Sequence, residues 1–128
     1  MIRFAKSSDV LELERIMKET GLATEGVSYK EWTPPVLVAE VDGKVVGLIQ
    51  AYVSQPLPMM SQFAVLPEYQ GKGIGKELAD GMELVFQTLG IKQYVAIADK
   101  KKDRLMRGYQ KRGMEFLSDV GQWIRRMA

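Results

Sequence analysis

Leu66-Pro67-Glu68-Tyr69-Gln70-Gly71-Lys72-Gly73-Ile74-Gly75 is the stretch that decides the fold. An apolar run, Phe63-Ala64-Val65-Leu66, leads into it and reads as the end of a strand. Behind it, Lys76 to Leu89 has helical periodicity. A strand therefore passes through a glycine-rich turn into a helix. The first turn of a helix leaves backbone N–H groups unpaired, and the helix dipole concentrates partial positive charge there. Glycine has no Cβ, so such donors can close around a phosphate. Lys72 and Lys76 add positive charge beside them. The expectation is a site for a pyrophosphate; a turn that merely links strand to helix is the structural alternative.

Upstream, Ile2-Arg3-Phe4 alternates as a short first strand. Asp9 is placed as a helix N-cap with Glu12 closing a capping box, and Val10, Leu13, Ile16 and Met17 make one helical face that Gly21 ends. Leu22 to Thr33 has room for a short second helix before Pro34-Pro35. Val36 to Val41 and Lys44 to Val53 read as two strands joined by the Asp42-Gly43 hairpin turn. Both are apolar at nearly every position, which implies a sheet covered on two faces. Pro56 and Pro58 break the chain before a strand from Met59 to Leu66. Downstream, Ile74, Leu78, Met82, Val85 and Leu89 fall at helical spacing, and Gly90 is a stop signal. Gln93 to Ala98 reads as a strand and Asp103 to Arg112 as a helix ended by Gly113. Met114 to Leu117 and Gln122 to Met127 read as a final hairpin around Asp119-Val120-Gly121.

At 128 residues the expectation is one domain, 1–128, large enough for a real core. The chain has no cysteine and no histidine, which removes disulfides, thiolate nucleophiles, the usual general base and the commonest metal ligand. No metal is expected. A net charge of +2 is too small to imply nucleic acid by itself. The N-terminus lacks the apolar stretch of a signal peptide, and no segment is long enough to cross a membrane. A cytoplasmic protein is the expectation.

The glycine turn contains no G-x-x-x-x-G-K-[ST] run, and G-x-G-x-x-G fails because Lys76 holds the closing position. What stands there is Gln70-x-x-Gly73-x-Gly75 behind Val65-Leu66-Pro67-Glu68-Tyr69. This resembles motif A of the GNAT family of N-acetyltransferases, and the element order β-α-(α)-β-β-β-α-β-α-β-β is similar to that family over almost the whole chain. The resemblance implies an α/β GNAT fold: a mixed central sheet of about six to seven strands flanked by helices, with the fourth and fifth strands splayed to admit acetyl-CoA. It places the backbone of Phe63, Ala64 and Val65 along the cofactor's pantetheine arm. Gln70, Gly71, Lys72, Gly73, Ile74, Gly75 and Lys76 would surround its pyrophosphate.

Acetyl transfer needs a neutral amine, a polarised carbonyl and a protonated leaving thiolate. An amine with a pKa near 10.4 costs roughly 4–5 kcal/mol to deprotonate at pH 7, so a site base or water chain normally takes that proton. Tyr109, in Gly108-Tyr109-Gln110-Lys111-Arg112-Gly113-Met114, resembles the family's tyrosine that protonates the sulfur. A phenol suits this role because its pKa of about 10 lies above that of a thiol. A packing tyrosine is the alternative. Two positions depart from the family: Lys102 stands where relatives often carry a cofactor-contacting asparagine, and Gln62 where many carry a carboxylate. Glutamine is no base, which leaves ordered water, or Glu25, Glu31 and Glu40 as weak candidates.

The basic stretch Lys100, Lys101, Lys102, Arg104, Arg107, Lys111 and Arg112, with Arg125 and Arg126, reads first as a solvated face. Attraction for cofactor phosphates comes second, and an acidic partner or RNA third. Stacking aromatics are scarce there, which argues against nucleic acid. Trp32 and Trp123 read as core, interface or acceptor-pocket residues. The resulting expectation is an acetyl-CoA-dependent acyltransferase acting on a primary amine, small molecule or peptide, by direct attack. Its rivals are a CoA-binding regulatory protein without catalysis and a transferase directed to a nucleic-acid-associated substrate. The resemblance leaves the partner state open between monomer and homodimer, since similar proteins are often dimers.

Overall fold

The computed structural model describes residues 1–21, 35–53, 57–97, 103–116 and 122–127. Its elements are β1 (Ile2–Phe4), α1 (Val10–Glu19), β2 (Val36–Val41), β3 (Lys44–Tyr52), β4 (Met59–Val65), α2 (Ile74–Thr88), β5 (Gln93–Ile97), α3 (Asp103–Lys111), β6 (Glu115–Phe116) and β7 (Gln122–Arg126). Seven strands form one mixed sheet in the order β1-β2-β3-β4-β5-β7-β6. Every neighbouring pair is antiparallel except β4–β5. Asp42 and Gly43 have φ of 52° and 79°, the left-handed pair that a two-residue hairpin requires. The expected second helix over Leu22 to Thr33 and the turn at Asp119-Val120-Gly121 lie outside the described residues, as do Ala98 and Leu117.

β2 and β3 are buried along almost their whole length, because the sheet is covered on both faces. α2 lies across one face: Gly81 sits close to Leu37 and Ile2. Gly47 of β3 lies directly beneath Leu78, and a Cβ there would stand 3.1 Å from the Ala64 carbonyl and 3.2 Å from Leu78 Cδ1. α1 packs on β3 and β4 and covers the opposite face with Leu13, Ile16 and Met17.

Two sequence expectations are corrected. Asp9 does not cap α1; it has φ −86° and ψ −8° and makes no side-chain bond to the helix start. Its carboxylate turns back to accept the Lys6 N–H at 2.7 Å and two Arg3 N–H groups at 2.9 and 3.0 Å. A bidentate guanidinium outcompetes a lone backbone amide. Glu12 accepts the Val45 N–H at 3.0 Å instead of closing a capping box. In α2, Leu78 and Met82 are buried as the periodicity requires, but Leu89 is 57% exposed and Phe86 is fully buried. The helix ends at Thr88, and Gly90 reverses the chain with Gly90 N–H on Gln87 and Ile91 N–H on Phe86. That Schellman geometry hands the apolar place at the helix end to Ile91, which packs against the core.

Candidate functional site

β4 and β5 register at only two pairs, Met59↔Val95 and Met60↔Ala96. Beyond them, among the described residues, β4 continues to Val65 paired with β3 alone, past the last β5 pairing toward the carboxyl ends. Ligands in open α/β sheets bind outside that end, where adjacent strands separate. Phe63, Ala64 and Val65 therefore border the gap on one side. The Val65 carbonyl, at its rim, accepts the Gln70 amide Nε2 at 2.9 Å.

The chain leaves β4 through a 3-10 turn, Pro67–Tyr69, and enters α2 at Gly73. Gly73 is the N-cap residue, with φ 85° and no side-chain cap on the helix. The first intrahelical bond is Glu77 N–H to the Gly73 carbonyl, so the donors of Ile74, Gly75 and Lys76 precede it. A Cβ on Gly71 or Gly73 would meet nothing within 4 Å. Among the described residues the helix start thus faces open space, and nothing there pairs with its amides. Gly75 backs this turn against the Phe63 ring, 3.6 Å from where its Cβ would stand. Lys72 and Lys44 hold their ammonium groups 5.4 and 5.9 Å from the centre of the Tyr69 ring, at cation–π distance. Lys76 is exposed and pairs with Asp80 at 2.8 Å.

Tyr109 lies on α3, 5% exposed, its ring 5.9 Å from that of Trp123. Among the described residues its hydroxyl has no hydrogen-bond partner. Burial pushes the phenol well above its ordinary value, with Arg112 pulling weakly the other way, so it is held protonated at neutral pH.

Sequence reasoning missed a charged cluster behind these elements. Glu83 is 8% exposed on the inward face of α2. Its Oε2 accepts the Tyr94 hydroxyl at 2.7 Å, an Arg112 N–H at 2.9 Å and the Arg125 Nε–H at 3.4 Å. Arg112 also donates to Asp80 at 2.8 Å and to the Lys76 carbonyl at 3.3 Å. The Lys76 bond, with Arg112, holds the Asp80 carboxyl below its ordinary range. Burial and the bond to Glu83 push the Tyr94 phenol up. The legible signal was a glutamate inside the apolar stripe Leu78, Met82, Phe86, since buried charges are almost always paired.

The expectation of a solvated basic face is corrected at Arg112 and Arg125, which turn inward to Glu83; Arg126 stays exposed and pairs with the exposed Glu115 at 2.8 Å. Glu40, weighed as a base, is bound to Arg3 at 3.2 Å on β2, far along the sheet from the gap. Gln62 stands opposite Gln50 on β3. Lys102, Glu25, Glu31 and Trp32 lie outside the described residues. Among the described residues there is no cluster of acids suited to a metal ion, and no helix long and apolar enough to cross a membrane.

A family model described as "Acetyltransferase (GNAT) family" matches residues 8–114. The chain belongs to the GNAT acetyltransferase family. Among curated GNAT relatives, the spermidine N(1)-acetyltransferase of Escherichia coli K12 is 30% identical over 79 residues, 59% of this chain and 42% of that protein. The chain thus matches less than half the length of that relative. Two solved structures share the GNAT fold at 20% identity. Ard1 from Thermoplasma volcanium has a TM-score of 0.86 and covers 100% of this chain and 97% of its own. The yncA protein of Salmonella typhimurium, solved with acetyl-CoA, has a TM-score of 0.82 and covers 100% of this chain and 94% of its own.

Proposed function

We propose that this chain is an acetyl-CoA-dependent N-acetyltransferase that acts on a primary amine by direct attack. The observation that carries this is the uncapped, Cβ-free start of α2, facing open space beside the end of β4 that runs past its last β5 pairing. Among the described residues nothing uses those amides, and their partial positive charge suits a pyrophosphate. The yncA structure with acetyl-CoA supports the same ligand, and the spermidine enzyme supports an amine acceptor. One contiguous core cluster joins the described elements, which supports reading 1–128 as a single domain.

When bound, acetyl-CoA would supply a thioester: the amine nitrogen gains the acetyl carbon, the C–S bond breaks, and the sulfur leaves as thiolate. In this reading, Gly71 to Lys76 hold the phosphates through backbone N–H groups. Lys72 and Lys76 add screened charge, and the free edge of β4 from Ser61 onward orients the arm. Tyr109, kept protonated by burial, gives its proton to the leaving sulfur. Gln62 can hold a water or an amine by hydrogen bonds but takes no proton, so the amine's proton leaves through solvent.

The absence of an acid at Gln62 favours a second reading, a CoA-binding protein without turnover. Calorimetry with acetyl-CoA tests the shared part. At a hundred times the dissociation constant, binding should stabilise the fold by about 2.7 kcal/mol. No heat at millimolar acetyl-CoA rejects both readings. Thiol release with a panel of amines separates them, and binding without release on any amine selects the second.

A further inference from the structure

Arg112 belongs to two elements at once. Its backbone N–H donates to the carbonyls of Gly108 and Tyr109, both at 3.1 Å, in the last turn of α3. Its guanidinium reaches three successive points on α2: the Lys76 carbonyl, Asp80 Oδ1 and Glu83 Oε2. Lys76 lies three residues into the helix whose start at Gly73 is the candidate anion cradle. Tyr109 makes no side-chain hydrogen bond among the described residues, so no polar bond fixes it; it is held by its backbone and by packing in the core, with the Trp123 ring at 5.9 Å. That backbone is fixed from outside α3 through Arg112. Its carbonyl also accepts the Met114 N–H at 3.0 Å, closing the helix end at Gly113.

Glu83 gives the attachment its direction. A buried carboxylate costs desolvation and is tolerable only when fully paired. Here Tyr94, Arg112 and Arg125 converge on one oxygen. An apolar residue at that place would continue the stripe of Leu78, Met82 and Phe86 and pack the same face. It would provide no anchor for α3.

We propose that the Glu83–Arg112 pair is a positioning device: it locks the end of α3 to the first turns of α2, so that the anion cradle and the Tyr109 phenol are held as one piece. Neither residue touches the reacting atoms. The proposal rests on the reading of Tyr109 as proton donor.

The test is a double-mutant cycle of Arg112→Lys with Tyr109→Phe. Spermidine, a lysine peptide and a peptide with a free N-terminal alanine serve as acceptor probes. An ammonium keeps the charge of Arg112 but cannot span three acceptors. Arg112→Lys should lower kcat about tenfold, in keeping with a displacement well under 1 Å, while the Kd for acetyl-CoA moves less than about threefold. In the Tyr109→Phe background the same change should cost less than about twofold, because the displaced phenol is already gone.

Equal losses in both backgrounds, or an unchanged kcat in Arg112→Lys with Tyr109→Phe slow, overturn the positioning role alone. Full turnover in Tyr109→Phe overturns the donor reading and this proposal with it. Amide exchange needs no acceptor and covers the case of a silent amine panel. Residues 103–111 should exchange faster in Arg112→Lys while residues 10–19 stay unchanged, and unaltered α3 protection overturns the proposal. Glu83→Gln keeps the oxygen and removes the charge. It serves as the second variant should Arg112→Lys fold poorly, with a smaller loss of kcat in the same pattern.

Discussion

The starts of α1 and α2 are built in opposite ways. At α1 the acids turn away from the helix amides to partners elsewhere in the chain: Asp9 binds Arg3 and the Lys6 N–H, and Glu12 binds the Val45 N–H. Every acid there is committed within the fold. At α2 the cap residue is a glycine in the left-handed region, no side chain closes the turn, and the first amides face open space. A glycine in the cap place forgoes a few tenths of a kcal/mol relative to Ser, Asp or Asn. One start therefore serves the fold, and the other is available to a ligand. Charge alone does not tell them apart. What separates them is whether the polar groups at the helix start have their partners within the chain.

The sharpest way to break this contrast is to put an acid at α2. Gly73→Glu should abolish measurable acetyl-CoA binding in calorimetry, because the new carboxylate enters the space left for phosphate and φ 85° strains any Cβ. Micromolar binding in that variant would remove the cradle from the site.

The reciprocal change sits at α1. Asp9→Asn should cost about 3 kcal/mol in urea unfolding, since Arg3 and Asp9 are a largely buried pair, and should leave the Kd for acetyl-CoA unaltered. The hydrogen bond from Arg3 holds the Asp9 carboxyl below its ordinary value. Its contribution is therefore complete above the unfolded pKa near 3.9 and is lost as pH falls through the lower folded pKa. The stability difference between wild type and Asp9→Asn should be flat from pH 7 to 5 and shrink below pH 4. A difference that shrinks above pH 5 contradicts the assignment.

Tyr109→Phe sharpens the ligand side. With cradle and fold untouched, kcat should fall roughly a hundredfold while acetyl-CoA affinity holds. Equal turnover under chemistry-limited conditions makes Tyr109 a packing residue. The smallest effect belongs to Lys76→Ala. Its exposed pair with Asp80 contributes under about 0.5 kcal/mol, and the KM for acetyl-CoA should rise a few-fold at low salt and less at high salt. A rise that salt does not diminish would indicate a direct, desolvated contact instead.

Much of the architecture was legible because it rests on local chemistry. The glycine turn at Gly71 and Gly73, the Asp42-Gly43 hairpin and the stops at Gly21, Gly90 and Gly113 all depend on left-handed backbone that few other residues adopt, and these six glycines have φ near 80°. The two-sided burial of β2 and β3 followed from their unbroken apolar runs. What stayed hidden depends on partners distant in sequence. Asp9 looked like a cap because its rival, Arg3, acts through a strand six residues away. Leu89 fitted the helical period but lies past the last turn, where Ile91 replaces it. Arg112 and Arg125 read as surface charge, because the spacings to their partner Glu83, 29 and 42 residues, carry no periodic signal. The candidate cradle could be read along the chain, whereas the partners of Glu83 could not.

Gly47 bears on that cradle from a strand it never leaves. Its missing Cβ sets the clearance between sheet and helix, with backbone at 3.1 Å on one side and Leu78 at 3.2 Å on the other. Leu78 stands five residues into a helix that rises about 1.5 Å per residue, so it lies within roughly 8 Å of the bare amides. A rigid rod lifted that close to its end carries the end with it. A methyl group at Gly47 would therefore have to displace the Ala64 carbonyl or Leu78 by a few tenths of an ångström, and with Leu78 the start of α2.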